Sequence, residues 1–286
     1  LMTIQTLPPI VILTDFGTKD SYVGTMKGVI LRECPGVPII DLTHEIAPQS
    51  VTQAAFVLWN SYKYFPQGTV FLVVVDPGVG SQRHAVALEA GPFRFVGPDN
   101  GIFTDTLFEL GDYRAVAIDE TQQSIAEGLT ATFHGRDLFA PTAAHIACGM
   151  PLEQLGAPVE QLISLPAPRL DITTTAIQGE VVYIDHFGNV ITSIGQWSWQ
   201  GDGQLCLQPR RQKDAPPLTV KPDKATVTSG AHVYSSIART YTNVAAGQSL
   251  ALINSAGQLE IAVNQGNARA ALGLAIGDPV TINLAP

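Results

Sequence analysis

The seven residues Thr69–Val75, TVFLVVV, restrict the fold more than any other stretch of this chain. A near-continuous β-branched run has no polar face, so as a strand it must be covered on both sides. Strands of that kind sit in parallel sheets with helices packed against them. The flanking pattern agrees. Ile10–Thr14 is a short apolar run that stops at Asp15-Phe16-Gly17, and Pro38–Leu42 reads as a second strand. Tyr22–Leu31 and Val51–Tyr62 carry apolar residues at helical spacing. Val86–Leu88 and Phe93–Val96 predict a hairpin around Ala90-Gly91-Pro92, and Gly135–Cys148 predicts a helix. This alternation implies an α/β layered domain with a mostly parallel sheet over residues 1–166.

The pattern changes after Leu165. The stretch LPAPRLDITTTAIQ holds two prolines and a threonine cluster, and residues 167–178 read as a linker. From 179 to 286 strand follows strand: Gly179–Ile184, Val190–Ile194, Gln204–Leu207, Leu218–Lys221, Ser249–Asn254, Leu259–Val263 and Pro279–Asn283. Turn residues separate them, and Ala268–Leu272 alone suggests a short helix. Short strands with regular turns predict a small β-barrel or sandwich.

Length and charge set outer bounds. A chain of 286 residues accommodates two domains, and 45% apolar with 14% charged residues describes a globular protein. A net charge of -9 without any Lys/Arg run argues against a nucleic-acid partner. No 18-residue apolar stretch is present, so no membrane span is expected. The three cysteines, Cys34, Cys148 and Cys206, are scattered without metal-ligand spacing. They read as buried free thiols in a reducing compartment, and the chain as soluble and cytoplasmic.

Four acids, Asp15, Asp41, Asp76 and Asp99, are each read as lying just beyond an apolar strand pattern. In open α/β sheets ligands bind outside the carboxyl ends of the strands, so four such acids together suggest one polar pocket. Each one singly also suits a helix cap or turn. Asp76 opens DPGVGSQR, whose glycines permit close backbone approach and whose Arg83 can fold back onto Asp76. An ion pair of structural purpose is the plainer reading of those two. No GKS or GKT follows, so this is not a phosphate loop. His134, in TFHGRD, precedes a helical pattern, where the helix N-terminus favours neutral imidazole or a bound anion. His44 reads as structural. In the second half Asp185-His186-Phe187-Gly188-Asn189 separates two strands, either as a simple turn or as a site for an amine and a heterocycle.

Seven segments in one order carry a family resemblance. They are LTDFGTKDSYVG at 13–24, IIDLTHEI at 39–46, VVDPGVGSQR at 74–83, VGPDNGIF at 96–103, ATFHGRDLFAP at 131–141, IDHFGNVITSI at 184–194 and LINSAGQLEIAVNQGNA at 252–268. The chain resembles the S-adenosyl-L-methionine (SAM) hydroxide adenosyltransferases, or SAM hydrolases, relatives of the SAM-dependent fluorinase and chlorinase. The resemblance implies hydrolysis of SAM to adenosine and L-methionine without a cofactor, by a homotrimer with sites between subunits. It assigns Asp76, Arg83 and His134 as the catalytic set. It gives Asp15 to the ribose hydroxyls, Asp20 and Asp185 to the methionine ammonium, and Ser255 to its carboxylate. Phe187, Asn189 and the backbone near Asn267 and Ala268 are to surround the adenine. The halogenases carry Tyr at the position of Asp76, a hydroxyl residue at that of Gly135 and Arg at that of Ala256, and this chain departs from all three. Two other readings remain open on the residues alone. One is a metal-dependent nucleotide hydrolase using Asp15, Asp41, His44, Asp76 and His134 as ligands, although no HxxxH or DxD pairing supports it. The other is a non-catalytic adenosine- or SAM-binding protein.

Overall fold

Why the Thr69–Val75 run reads as fully apolar is visible in the sheet that holds it. In the computed structural model, which describes residues 7–123, 130–209 and 216–284, Val70–Val74 forms strand β3 with every residue buried. The chain divides into two compact units, Leu1–Leu165 and Pro166–Pro286.

The first unit runs β1 (Ile10–Thr14), α1 (Tyr22–Glu33), β2 (Ile39–Thr43), α2 (Val51–Ser61), β3, β4 (Ala85–Ala90), β5 (Phe93–Pro98), α3 (Thr104–Leu110), β6 (Tyr113–Ile118) and α4 (Glu120–Gln123). A π-helical turn at Gly135–Phe139 then leads into α5 (Ala140–Ala147), and β7 (Gly156–Val159) closes the unit. Its seven strands lie in the order β2-β1-β3-β5-β4-β6-β7. β1, β2, β3 and β5 pair in parallel, and β4 and β7 run against them. The sheet is thus mostly parallel, with the β4–β5 hairpin turning at Gly91-Pro92 as the sequence predicts. Alternate residues of β1 face opposite helical layers. Ile10 and Ile12 join Met26 and Ile30 of α1 and Ala143 and Ala144 of α5 in one core. On the other face the rings of Phe71, Phe93 and Phe95 pack in succession.

Two differences from the sequence reading have local causes. The predicted Gly135–Cys148 helix begins as a π-turn because Pro141 stands at the start of α5 and has no N–H to return to the preceding turn. The Ala140 amide instead closes on the Gly135 carbonyl. The second difference is a correction. Cys34 and Cys148, expected as free thiols, are joined in a disulfide. Both cap the C-terminal ends of helices, α1 and α5, that pack side by side, and their Cα atoms lie 6.0 Å apart. Helix packing brought them within bridging range, which spacing in sequence did not announce. The cysteines therefore give no support to a reducing compartment. Cys206 stays free.

The second unit carries β8 (Leu170–Ile172), β9 (Ala176–Ile184), β10 (Val190–Gly195), β11 (Trp197–Trp199), β12 (Leu205–Leu207), β13 (Leu218–Val220), β14 (Ala225–Ser229), β15 (His232–Tyr234), β16 (Ile237–Ala238), β17 (Ser249–Ile253), β18 (Gln258–Val263), α6 (Ala268–Leu272) and β19 (Pro279–Leu284). Nine of these strands form one curled, barrel-like sheet, and β11-β12-β13 form a small second one. Within 167–178, where composition suggests a linker, β8 pairs antiparallel with the start of β9. Leu259, Ile261 and Val263 of β18 point into the barrel core, as period-2 alternation requires. Among the described residues, no helix is long and apolar enough to cross a membrane.

Candidate active site

Strand order locates the site before any side chain is considered. The chain leaves β1 for β2 on one side, then crosses back to β3 on the other, so the order reverses between β1 and β3. Thr14 and Val74 pair at the carboxyl ends of these two strands. The crevice outside such a switch point is where α/β sheets bind ligands. A cavity of about 430 Å3 opens there, and Asp15, Gln49, Asp76, Phe133, His134 and Gly135 are among its walls.

Asp76, Arg83 and His134, far apart in the chain, meet at this cavity. Arg83 Nε donates to both carboxylate oxygens of Asp76, at 3.0 and 3.1 Å, and Nη2 donates to Oδ2 at 2.5 Å. The same Nη2 lies 3.0 Å from His134 Nδ1. A guanidinium has no acceptor, so Nδ1 must offer its lone pair and the imidazole proton sits on Nε2. Burial, and then the nearby Arg83 cation, hold the His134 pKa below its ordinary value, which agrees with a neutral ring. The Asp76 and Arg83 side chains are only 6% and 8% exposed. Arg83 stacks its guanidinium 5.3 Å from the centroid of the buried Phe139 ring. Asp76 and His134 reach the cavity, whereas Arg83 stands behind and ties them together. The loop that returns Arg83 needs its glycines. Gly80 has φ +78°, and a Cβ there would lie 2.7 Å from the Ala131 carbonyl oxygen.

Of the four acids expected to share a pocket, two do. Asp15 lines the cavity with Asp76, and its Oδ2 accepts the Gln49 amide at 2.7 Å. Asp41 lies inside β2 and is exposed. It bonds Lys27 at 2.6 Å and His44 Nε2 at 2.9 Å. His44 is buried, and its Nδ1 faces Thr14 Oγ1 at 2.9 Å, so both ring nitrogens are engaged in tying β1 to β2. Asp99 is buried and accepts the Ile163 amide at 2.8 Å. Asp20 is exposed and lines a different depression, with Lys27 and Asp41. Among the described residues no group of three or more His, Cys, Asp or Glu is arranged to hold a metal ion.

The second unit gathers most of its candidate residues at one end of β18. Asp185 Oδ1 accepts the amides of Phe187 and Asn189, and Oδ2 accepts Asn189 Nδ2 at 2.9 Å. Asp185 thus shapes its own turn, which leaves Phe187 72% exposed at the tip. Gly188 has φ +83°, and the Asn267 side chain fills the space a Cβ would need. Asn267 in turn caps α6 by accepting the Ala270 amide at 2.8 Å, which sets Ala268 behind the turn. Phe187, Asn189, Tyr241 and Gln265 border a depression of about 470 Å3. Ser255 is exposed on the β17–β18 turn, which Asn254 Oδ1 organises by accepting the Ala256 and Gln258 amides.

Comparison with known proteins decides the family. Residues 10–156 match the SAM hydroxide adenosyltransferase N-terminal domain, and residues 179–281 match the C-terminal domain of the same family. The chain belongs to the SAM hydroxide adenosyltransferase family. A relative from Thermus thermophilus, named (R)-S-adenosyl-L-methionine hydrolase, is 39% identical over 96% of this chain and 99% of its own. A fluorinase from an Actinoplanes species is 29% identical over 65% of this chain and 72% of its own. The solved structure of an uncharacterised conserved protein from Thermotoga maritima superposes with a TM-score of 0.82 at 36% identity, covering 96% of this chain and 99% of that one.

Gln49 and Glu260 escaped the sequence reading, and Gln265 figures in it only as part of the polar turn Asn264-Gln265-Gly266-Asn267, either a simple turn or a binding site. Gln49 and Gln265 are the non-glycine residues with positive φ among the described residues, at +67° and +56°, and each borders one cavity. Strained backbone of this kind collects at functional sites. Neither has a local signal, since Asn and Asp are the usual occupants of that conformation. Glu260 lines neither cavity and is buried on β18.

Proposed function

We propose that this chain hydrolyses S-adenosyl-L-methionine to adenosine and L-methionine. The observation that carries the reading is the Asp76–Arg83–His134 assembly at the switch-point cavity, in a family whose Thermus thermophilus member is named a SAM hydrolase. The substrate's sulfonium leaves as a neutral thioether, so departure needs no general acid. The protein has only to place water in line with the ribose C5′ and make it a better nucleophile. Positioning alone supplies roughly 7–11 kcal/mol in favourable cases. His134 Nε2–H donates to the attacking water and fixes its orientation. Asp76 has lone pairs left after its bonds to Arg83, and one accepts from the same water. As the C5′–oxygen bond forms, the C5′–sulfur bond breaks with its electron pair moving to sulfur, and the water proton is drawn toward Asp76. Arg83 keeps both partners aimed and balances the carboxylate charge.

In this reading Asp15 receives the ribose hydroxyls with the lone pairs that the Gln49 amide does not use. Asp20 and Asp185 face the substrate ammonium, Ser255 its carboxylate, and Phe187, Asn189, Asn267 and Ala268 the adenine. The working form is a homotrimer in which the Asp185–Asn189 turn of one copy completes the Asp15–Asp76 cavity of another. No metal or cofactor takes part.

The test is turnover in 18O-water with EDTA present. The expected products are methionine and adenosine labelled at the 5′ oxygen. Unlabelled adenosine, a 5′-halogenated product in the presence of halide, or activity that EDTA abolishes and a divalent ion restores would sink the reading. Binding without turnover would leave a SAM-binding protein in its place.

A further inference from the structure

Glu260 is a carboxyl that the mechanism above does not use, buried where its strand pattern puts a solvent-facing side chain. On β18 the residues Leu259, Ile261 and Val263 enter the barrel core, so Glu260 and Ala262 point to the opposite face. That face is covered. Leu250, Leu252 and Ala262 form a small cluster there, with Ala238 and Val244 packed over it. The Tyr241–Asn243 turn lies between those last two residues, and Glu260 is left 3% exposed beneath it. A carboxyl in such a place must be paired, because an unsatisfied one is costly to bury.

Its partners reach the substrate-facing loops of the second unit. The Tyr241 hydroxyl donates to Glu260 Oε1 at 2.8 Å, and Tyr241 borders the depression under Phe187 and Asn189. Asn254 follows Ile253 on the face of β17 that carries Leu252, diagonally across from Glu260, and it is the residue that shapes the turn bearing Ser255. Across the sheet Glu260 pairs with Ile191 of β10 and Leu252 of β17, between the strands that lead from the Asp185 turn and into the Ser255 turn. Asp185 is close enough that its charge acts on Glu260. Burial pushes the Glu260 carboxyl up and Asp185 adds to this, while the bond from Tyr241 pulls it down.

We propose that Glu260 is a positioning residue for the amino-acid end of the substrate: from beneath the site it holds the Asn254–Ser255 turn. This rests on the SAM hydrolase reading and deepens it. Glu260 acts through its neighbours and not on the reacting atoms, so its loss affects recognition of the methionine moiety more than the chemical step.

The experiment compares unmodified protein with Glu260→Gln. Glutamine keeps the shape and an oxygen for Tyr241, but it loses the charge and replaces the second acceptor with a donor. KM for SAM is expected to rise roughly tenfold, the scale of losing a hydrogen bond to a charged group, with kcat within about twofold, since the bond acts equally in ground and transition states. The affinity for adenosine, which lacks the amino-acid end, is expected to stay unchanged. If Glu260→Gln does not fold, Glu260→Asp keeps a carboxyl but draws it back from its partners, and a rise in KM with adenosine affinity unchanged is again expected. An unchanged KM, a loss confined to kcat, or adenosine binding weakened as much as SAM binding overturns the proposal. If the unmodified protein itself leaves SAM intact, the hydrolase reading fails and takes this proposal with it. Turnover with an unaltered KM in the variant overturns the proposal alone.

Discussion

Removing Arg83 separates a catalytic assembly from a structural ion pair. Arg83→Ala deletes three bonds to Asp76 and one to His134 Nδ1. It strands a carboxylate whose side chain is 6% exposed. Breaking a buried pair from one side costs about 3–5 kcal/mol, which is roughly 6–20 °C in Tm for a unit of this size. If Arg83 also aims Asp76 and His134 at water, kcat falls by a further ~10²–10³, as when one preorganised donor is lost. The loss appears equally in kcat and kcat/KM, because the aimed geometry matters only in the transition state. The double variant Asp76→Ala/Arg83→Ala distinguishes the two contributions. With no charge stranded it recovers most of the stability, since a buried pair replaced by apolar groups is often neutral. Turnover stays lost in the double variant. Calorimetry and steady-state kinetics on the folded fraction read both. Single variants that are destabilised yet keep near-normal kcat would refute the catalytic reading, as would turnover that returns with stability in the double variant.

Three further outcomes are expected. Burial and Arg83 lower the His134 pKa, with Glu120, Asp76 and Asp137 opposing. As the pH falls below about 6.5, the unfolded chain takes up this proton before the folded one does, so stability conferred by neutral His134 is lost as pH falls through the folded value. Activity should decline on the same acidic limb, and a kcat profile that stays flat through that limb would contradict a catalytic role for the neutral ring. Cys34→Ala/Cys148→Ala opens a link spanning 114 residues. Chain entropy puts its contribution at about 4–5 kcal/mol. A thermal melt unchanged by the substitution or by reductant would show that the link adds nothing. Sedimentation at assay concentration should give a trimer, and mixing an Asp76→Ala variant with an Asp185→Ala variant should restore some activity through hybrid sites. A fully active monomer excludes shared sites.

Fold class was legible because burial leaves a periodic mark on local sequence. Thr69–Val75 and Ile10–Thr14 could only be covered strands, and the helical spacing of Tyr22–Leu31 and Val51–Tyr62 fixed what covers them. Strands with weak or polar alternation left no such mark. The strands Ala225–Ser229 and Tyr113–Ile118 went unread for that reason, and the helix Thr104–Leu110 because two turns are too short to show a period.

Side-chain partnerships belong to the tertiary structure. Asp15, Asp41, Asp76 and Asp99 look equivalent in sequence, yet the fold gives Asp41 to Lys27 and His44 and Asp99 to the Ile163 amide. Asp15 and Asp76 alone of the four are left at the cavity. His134 meets Arg83 across 51 residues, and Cys34 meets Cys148 across 114. Glu260 sits on an ordinary outward strand position until the Tyr241 turn closes over it. Periodicity records whether a position is buried by its own strand or helix. Which distant residue shares that burial depends on strand order and helix packing, and those are set by the whole chain at once.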